Sequence, residues 1–168
     1  EDCVASIKRW GARDAMGQKL MAVTSELTAP DDKTIKFVLK QPYGLLLYSL
    51  GKPGSNVPFM MPKSVAATDP NSQITDATGS GPFSFKKSEF NSGSLIVFER
   101  NPRYLPVSTG TPSLIAGPKV VHFDRVEWTT MPDPATSLAA LQRGEIDWLD
   151  GALSDHLPIL RKAELPAL

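Results

Sequence analysis

Side-chain chemistry in this chain could begin at a few places. Asp31 and Asp32 stand side by side, as the two carboxyls of a general acid–base pair would. Their setting is Pro30-Asp31-Asp32-Lys33, where aspartates serve backbone turns, so the pair reads as turn chemistry. His122 and His156 are far apart and belong to no His-x-x-x-His or Cys/His cluster, which argues against a metal centre. Cys3 stands alone in a helical stretch without a neighbouring base, so it reads as a small packed side chain. Gly79-Ser80-Gly81 has the look of a nucleotide or nucleophile loop. Position 84 is Ser where a dinucleotide loop needs its third glycine, and a strand follows instead of a helix. Ser80 also lacks the flanks of a nucleophile elbow. Asp124 and Glu127 are three apart in a strand-like run and face opposite sides. No catalytic constellation emerges, and neither a metal nor a cofactor is expected.

The composition bounds the partners. Eighteen Lys and Arg balance eighteen Asp and Glu, so no long-range attraction for nucleic acid or anionic lipid is expected. Apolar residues make up 41% of the 168 and charged residues 21%, enough for a packed interior. No apolar run approaches the ~18 residues of a membrane helix. The first residues, Glu1-Asp2-Cys3-Val4, do not read as a signal peptide. Fifteen prolines keep the elements short.

The elements follow from periodicity and punctuation. Residues 1–12 predict a helix through Val4, Ile7 and Trp10, with Gly11 ending or interrupting it. A second helix is expected from Ala15 to Ala22, with Met16, Leu20 and Met21 on one side and Arg13-Asp14 as a charged joint before it. Val23–Ala29 and Thr34–Lys40 alternate and predict a β-hairpin. Leu45–Leu50 reads as a short buried helix, Gly51–Asn56 as a flexible loop, Val57–Pro62 as extended and Lys63–Ala67 as a brief helix. The polar run from Thr68 to Thr78 suggests a lobe boundary.

Gly79–Tyr104 is the central stretch: a glycine-led turn, a strand, a polar turn at Asn91-Ser92-Gly93, a second strand and a stop at Asn101-Pro102. Residues 105–119 predict an exposed loop, and Val120–Met131 a strand. Asp133 and Pro134 predict the start of a helix reaching about Arg143, with Gly144 as its C-terminal cap and Ala135, Leu138 and Leu141 on its apolar side. Glu145–Leu149 predicts a short strand, which would complete a βαβ-like unit. Ser154 or Asp155 is expected to cap a last helix with Leu157, Ile159 and Leu160.

Four segments in order resemble the family 5 extracellular solute-binding proteins. Gly79-Ser80-Gly81-Pro82-Phe83 with Glu99-Arg100-Asn101-Pro102-Arg103-Tyr104 resembles the family's Gly-Thr-Gly-Pro-Tyr and Glu-Arg-Asn-Pro-x-Tyr pattern. Glu1-Asp2-Cys3-Val4-Ala5-Ser6-Ile7-Lys8-Arg9-Trp10 resembles its Ala-Asp-Asp-Val-x-x-Ser-x-x-Arg helix. Asp31-Asp32-Lys33-Thr34 resembles its hairpin turn, and Leu141-Gln142-Arg143-Gly144-Glu145-Ile146-Asp147 its Leu-x-x-Gly-Glu-Ile-Asp segment.

The resemblance implies a mixed α+β and α/β fold: a partial lobe of a type II periplasmic-binding-protein-like architecture plus a small α+β subdomain. Residues 1–78 would form the subdomain and residues 79–168 part of the lobe. Family members are much longer, so the chain is expected to be a middle piece without the second lobe. The implied function is the substrate-binding component of an ABC importer, capturing an oligopeptide, dipeptide or other small solute for permease subunits in a periplasmic or extracytoplasmic setting. A peptide-gripping sensor or chaperone-like module, or a hydrolase, are the alternatives. The resemblance points to Trp148, Leu149, Asp150 and Gly151 as cleft-facing, with Arg13, Asp14 and Met16 at another cleft position. A tryptophan such as Trp148 is more often a core residue, and a pair such as Arg13-Asp14 more often a solvated loop pair. Such a piece would expose apolar edges and is expected to self-associate.

Overall fold

Asp14 divides the first two helices. α1 spans Asp2–Arg13 and α2 spans Ala15–Val23 in the computed structural model, which describes residues 1–54, 56–114 and 116–163. The backbone of Asp14 is extended, so helical geometry stops there, while its N–H still closes on the Trp10 carbonyl at 2.9 Å. Gly11 does not interrupt α1 as the sequence suggested. It is buried inside the helix, because α1 and α2 meet there: a Cβ on Gly17 would lie 2.8 Å from the Gly11 Cα. Glycine here serves close approach.

The chain separates into two units, Glu1–Phe85 with Glu99–Asp124, and Lys86–Phe98 with Arg125–Leu168. In the first, β1 (Thr24–Asp31) and β2 (Thr34–Leu39) form the expected antiparallel hairpin, with Leu27 opposite Phe37 and irregularities before Glu26 and before Asp31. The Asp31 carboxylate accepts the Lys33 N–H at 2.8 Å, which is the turn role expected of it. Ile7, Trp10, Leu20 and Leu27 form the core, and Val4, Met21, Phe37, Leu46, Leu50 and Met60 pack around it. Full burial of such a side chain stabilises by about 1.5–3 kcal/mol.

α3 covers Leu46–Leu50. It was expected to be buried, yet besides fully buried Ser49 only Leu46 and Leu50, one turn apart, pack on the core. Leu47 and Tyr48 are 77% and 72% exposed. Too short to be surrounded, this helix lies against the core along one stripe. The loop after it has no helix or strand at 51–54 or 56; Ser55 lies outside the described residues. α4, Lys63–Ala66, starts where the Lys63 N–H meets the Asp2 carboxylate at 2.8 Å. Buried Ser6 ties the preceding extended segment to α1: its Oγ donates to the Met61 carbonyl at 3.2 Å and accepts the Met61 N–H at 3.0 Å.

β3 (Phe83–Phe85), β4 (Leu95–Arg100) and β5 (Arg125–Thr129) lie in that order in a second sheet. The Arg100 N–H meets the Asp124 carbonyl and the Thr130 N–H meets the Ser94 carbonyl, both at 2.8 Å, so β4 and β5 run antiparallel. β5 is shorter than the expected 120–131. It pairs only alongside the six residues of β4, and upstream the Val121 carbonyl instead accepts Arg100 Nη2 at 2.7 Å.

In the second unit α5 spans Pro134–Gln142, capped by the Asp133 carboxylate accepting the Thr136 N–H at 2.7 Å, as the Asp-Pro pair predicted. Its buried side is Ser137, Leu138 and Ala140, with Leu141 half-buried; Ala135 is exposed, against expectation, because it sits in the first turn. The helix closes as a Schellman motif: Gly144 has φ +69°, its N–H meets the Leu141 carbonyl at 3.1 Å, and the Glu145 N–H meets the Ala140 carbonyl at 2.9 Å. Glu145–Leu149 is irregular, so the βαβ-like unit does not form. The Glu145 N–H is committed to the helix end. The last helix, α6, covers Leu157–Leu160 after a 3₁₀ turn at Ser154–His156. Neither Ser154 nor Asp155 caps it; that turn puts His156 at the cap position without a side-chain bond.

The glycine contact gives an ordered pair of outcomes. Gly17→Ala pushes a Cβ into the Gly11 backbone and toward the Trp10 ring at 3.2 Å, whereas a Cβ on Gly11 meets the flexible Met21 side chain at 2.5 Å. Gly17→Ala is expected to destabilise by about 1–3 kcal/mol. Gly11→Ala should cost less: both sites are helical and regain the same propensity, but the Gly11 clash falls on a side chain that can turn aside. Urea unfolding of both variants checks the order, and equal midpoints would refute the close-packing account.

Candidate functional site

The joint between α1 and α2 is a tightly constrained polar feature of the first unit. Asp14 Oδ1 accepts the N–H groups of Met16 and Gly17 at 2.9 and 3.0 Å, so it caps α2. Its other oxygen pairs with the Lys52 ammonium. The Asp14 side chain is only 7% exposed and that of Lys52 21%, so the pair is largely out of water. The Lys52 hydrogen bond, followed by the amides of Gly17 and Met16, holds the Asp14 carboxyl below its ordinary range against the opposing effect of burial. Nearby in the chain, buried Trp10 donates its indole N–H to the Asn56 carbonyl at 2.6 Å, and Asn56 takes a left-handed backbone with φ 59°.

Of the residues expected to touch a ligand, Arg13, Asp14 and Met16 lie together at this joint. Arg13 closes α1 and is exposed, but its guanidinium donates to the Pro70 carbonyl at 3.1 Å and to Asn71 Oδ1 at 3.2 Å. Asp14 is saturated by the cap and Lys52. Met16 is half-buried in the first turn of α2. Sequence reasoning missed Lys52 and Arg9, because partners 38 and 59 residues away in the chain leave no local signal.

Trp148, Asp150 and Gly151 lie in the second unit, in the irregular segment after the Schellman motif. Trp148 is 79% exposed, so it is no core residue here. Asp150 is exposed beside it, and Gly151 has φ +80° with open space around its Cα, the backbone of a free-standing bend. An exposed indole ahead of a carboxylate offers a flat apolar face and a negative charge, suited to stacking and to a cationic group. Further along, Gln142, Pro158, Ile159, Lys162 and Ala163 line a mostly apolar depression of about 320 Å³ that contains none of the expected residues. No group of three metal-binding side chains occurs among the described residues.

Residues 1–166 match the family described as bacterial extracellular solute-binding proteins, family 5 Middle. The chain belongs to this family. It is 41% identical over 161 residues to a probable peptide ABC transporter periplasmic-binding protein, y4tO, of Sinorhizobium fredii, covering 95% of this chain and 30% of that protein. It is 32% identical over 152 residues to a probable D,D-dipeptide-binding periplasmic protein, DdpA, of Escherichia coli, covering 85% of this chain and 27% of that one. The structure resembles the crystal structure of AppA from Clostridium difficile, named for peptide binding, with a TM-score of 0.60 and 25% identity over 86% of this chain and 28% of the other. The fold is thus the mixed helix-and-sheet middle region of a family 5 solute-binding protein. The chain spans less than a third of the length of these relatives.

The family signature has structural employment here. Asn101 Nδ2 donates to the Gly81 carbonyl at 3.0 Å, the Asn101 N–H to the Pro82 carbonyl at 2.9 Å, and Asn101 Oδ1 accepts the Arg103 N–H at 3.1 Å. Asn101, through its side chain and its backbone N–H, thereby ends β4 and fixes the glycine-led entry into β3.

The buried pair sets a pH dependence. Because the folded-state pKa of Asp14 lies below the unfolded one, its stabilisation is complete above the ordinary carboxylate value of ~4 and is lost as pH falls through the depressed folded value. Asp14→Asn keeps a capping side chain but removes the charge, and should cost about 1–3 kcal/mol at neutral pH. That difference should shrink steadily below pH ~4. Chemical denaturation at a series of pH values checks it; a gap independent of pH down to pH ~2 would contradict the ion pair's role.

Proposed function

We propose that the chain is part of the substrate-binding component of an ABC importer, which captures a peptide-like solute and delivers it to permease subunits at the membrane. The observation that carries this is the 41% identity over 95% of the chain to a protein named as a peptide ABC transporter periplasmic-binding protein. The second relative, named for D,D-dipeptides, supports a short peptide as the ligand class. On this reading the protein works outside the cytoplasm, performs no bond chemistry and needs no cofactor. None of the helices among the described residues is long and apolar enough to cross a membrane.

Residues 1–78 are the α+β subdomain in this proposal and residues 79–168 contribute to an α/β lobe. Met16, Trp148, Asp150 and Gly151 supply ligand contacts, while Arg13 and Asp14 hold the joint that presents Met16. Binding proteins of this kind gain affinity by enclosing the ligand between lobes. Residues 1–168 alone should therefore bind peptide weakly, at millimolar Kd or worse, and the polypeptide encoded by the whole gene at micromolar Kd or better. Titration calorimetry of a dipeptide and tripeptide panel, with mass analysis of the recovered peptides, checks this. Micromolar binding by residues 1–168 would overturn the enclosure requirement. Cleaved peptides, or no binding by either form, would overturn the transport reading.

Self-association of the 168-residue chain belongs to the same proposal. Leu47, Tyr48 and Phe59 in the first unit are each at least 69% exposed. In the second, the antiparallel register sets Ile96 opposite Trp128, and both are exposed. Apolar surface of this kind favours association. Multi-angle light scattering should give a mass above the 18.2 kDa of one chain, rising with concentration; a constant monomer mass at high concentration would remove this part of the proposal.

A further inference from the structure

α1 carries Arg9 and Arg13 one turn apart on one face, and both reach the same short stretch, Thr68-Asp69-Pro70-Asn71-Ser72. Arg9 Nη1 donates to the Thr68 carbonyl at 2.6 Å and to Thr68 Oγ1 at 2.9 Å, and its Nη2 donates to the Ser72 carbonyl at 2.9 Å. Arg13 Nη1 donates to the Pro70 carbonyl at 3.1 Å and to Asn71 Oδ1 at 3.2 Å. The stretch is shaped to receive them. Asp69 Oδ1 accepts the Asn71 N–H at 2.9 Å, and the Ser72 N–H closes on the Asp69 carbonyl at 3.0 Å. Asp-Pro-Asn-Ser is the sequence of a type I turn, with proline pre-set at its second position. Three alternate carbonyls, of residues 68, 70 and 72, thereby serve α1.

We infer that Arg9 and Arg13 form a two-arginine latch on residues 68–72, fixing where the chain leaves α4 on its way to the Gly79–Tyr104 stretch. Arg13 is accordingly a positioning residue and not a ligand contact. This deepens the site reading given above, but the latch itself involves no ligand. The stretch needs such a fastening, since residues 73–82 form no helix or strand before β3 begins at Phe83. The choice of arginine follows from geometry. A planar guanidinium offers several N–H groups in fixed directions and spans carbonyls two to four residues apart, which a single ammonium cannot match. The oxygens that accept the guanidinium N–H groups are themselves neutral.

Amide hydrogen exchange of the 168-residue chain tests this without peptide present, so its outcome bears on the latch and leaves the transport reading to the calorimetry. Arg9→Lys, Arg13→Lys and the double variant keep the charge and the helix propensity of α1. Exchange in peptides covering residues 67–78 is expected to rise at least tenfold in the double variant and several-fold in each single one, with protection of α1, α2 and the β1–β2 hairpin unchanged. Lys8→Ala on the exposed side of α1 should change nothing in residues 67–78. Unchanged exchange in residues 67–78 in all three variants overturns the latch. Loss of protection in α1 and in residues 67–78 together, already in the single variants, also overturns it, because the arginines would then act only on the stability of α1.

Discussion

Gly17 lies so close to Gly11 that neither position has room for a β-carbon without displacing a neighbour. Much of the first unit depends on that contact. It lets α1 and α2 pack nearly backbone to backbone, places the Trp10 ring against α2, and delivers Leu20 to the core with no remaining exposure. The turn that makes it possible belongs to Asp14, whose extended backbone ends one helix and whose carboxylate starts the next. Lys52 then neutralises that carboxylate in a place where an unpaired charge would be costly.

The second unit is held differently. Among the described residues its buried side chains are few, Val97, Ser137, Leu138 and Ala140, while Trp128, Trp148, Leu153 and Ile159 stand exposed. Polar closure does much of the local work: the Asp133 cap, the Schellman motif at Gly144, and Arg125, whose guanidinium meets Glu89 at 2.5 Å and Glu127 at 2.6 Å. Such exposed ion pairs each contribute little. They orient β5 and the 3₁₀ turn at Lys87–Glu89 more than they stabilise them. A thin core with large exposed aromatics suits a chain that spans less than a third of its relatives' length.

Legibility in the sequence followed the range of the forces involved. The hairpin could be read because alternation and turn chemistry are local, and Asp31 serves its turn as its neighbours implied. The start and end of α5 could be read because Asp-Pro and Arg-Gly act within a few residues. The strand expected at Glu145–Leu149 failed because apolar alternation cannot tell whether an unpaired strand lies beside it. The burial expected for Leu45–Leu50 failed because helical spacing gives the stripe that can be buried and not how much of the helix its surroundings will cover. At the candidate site, residue types could be picked out, but their engagements could not.

The sequence by itself determined the family, the order of nearly all the elements and the caps of α5, since these reside in residue types at fixed short spacings. Tertiary structure alone decided which polar groups are committed. Arg13 and Asp14 look equally available on paper. One reaches the carbonyl of Pro70 and the other the ammonium of Lys52, because folding brings segments from 38 to 57 residues away alongside α1 and α2. Trp148 likewise could have been core or surface, and its exposure was settled only when the chain after Gly144 left the helix without finding a strand to join. Partners far apart in the chain are chosen by packing, and packing is a property of the whole fold.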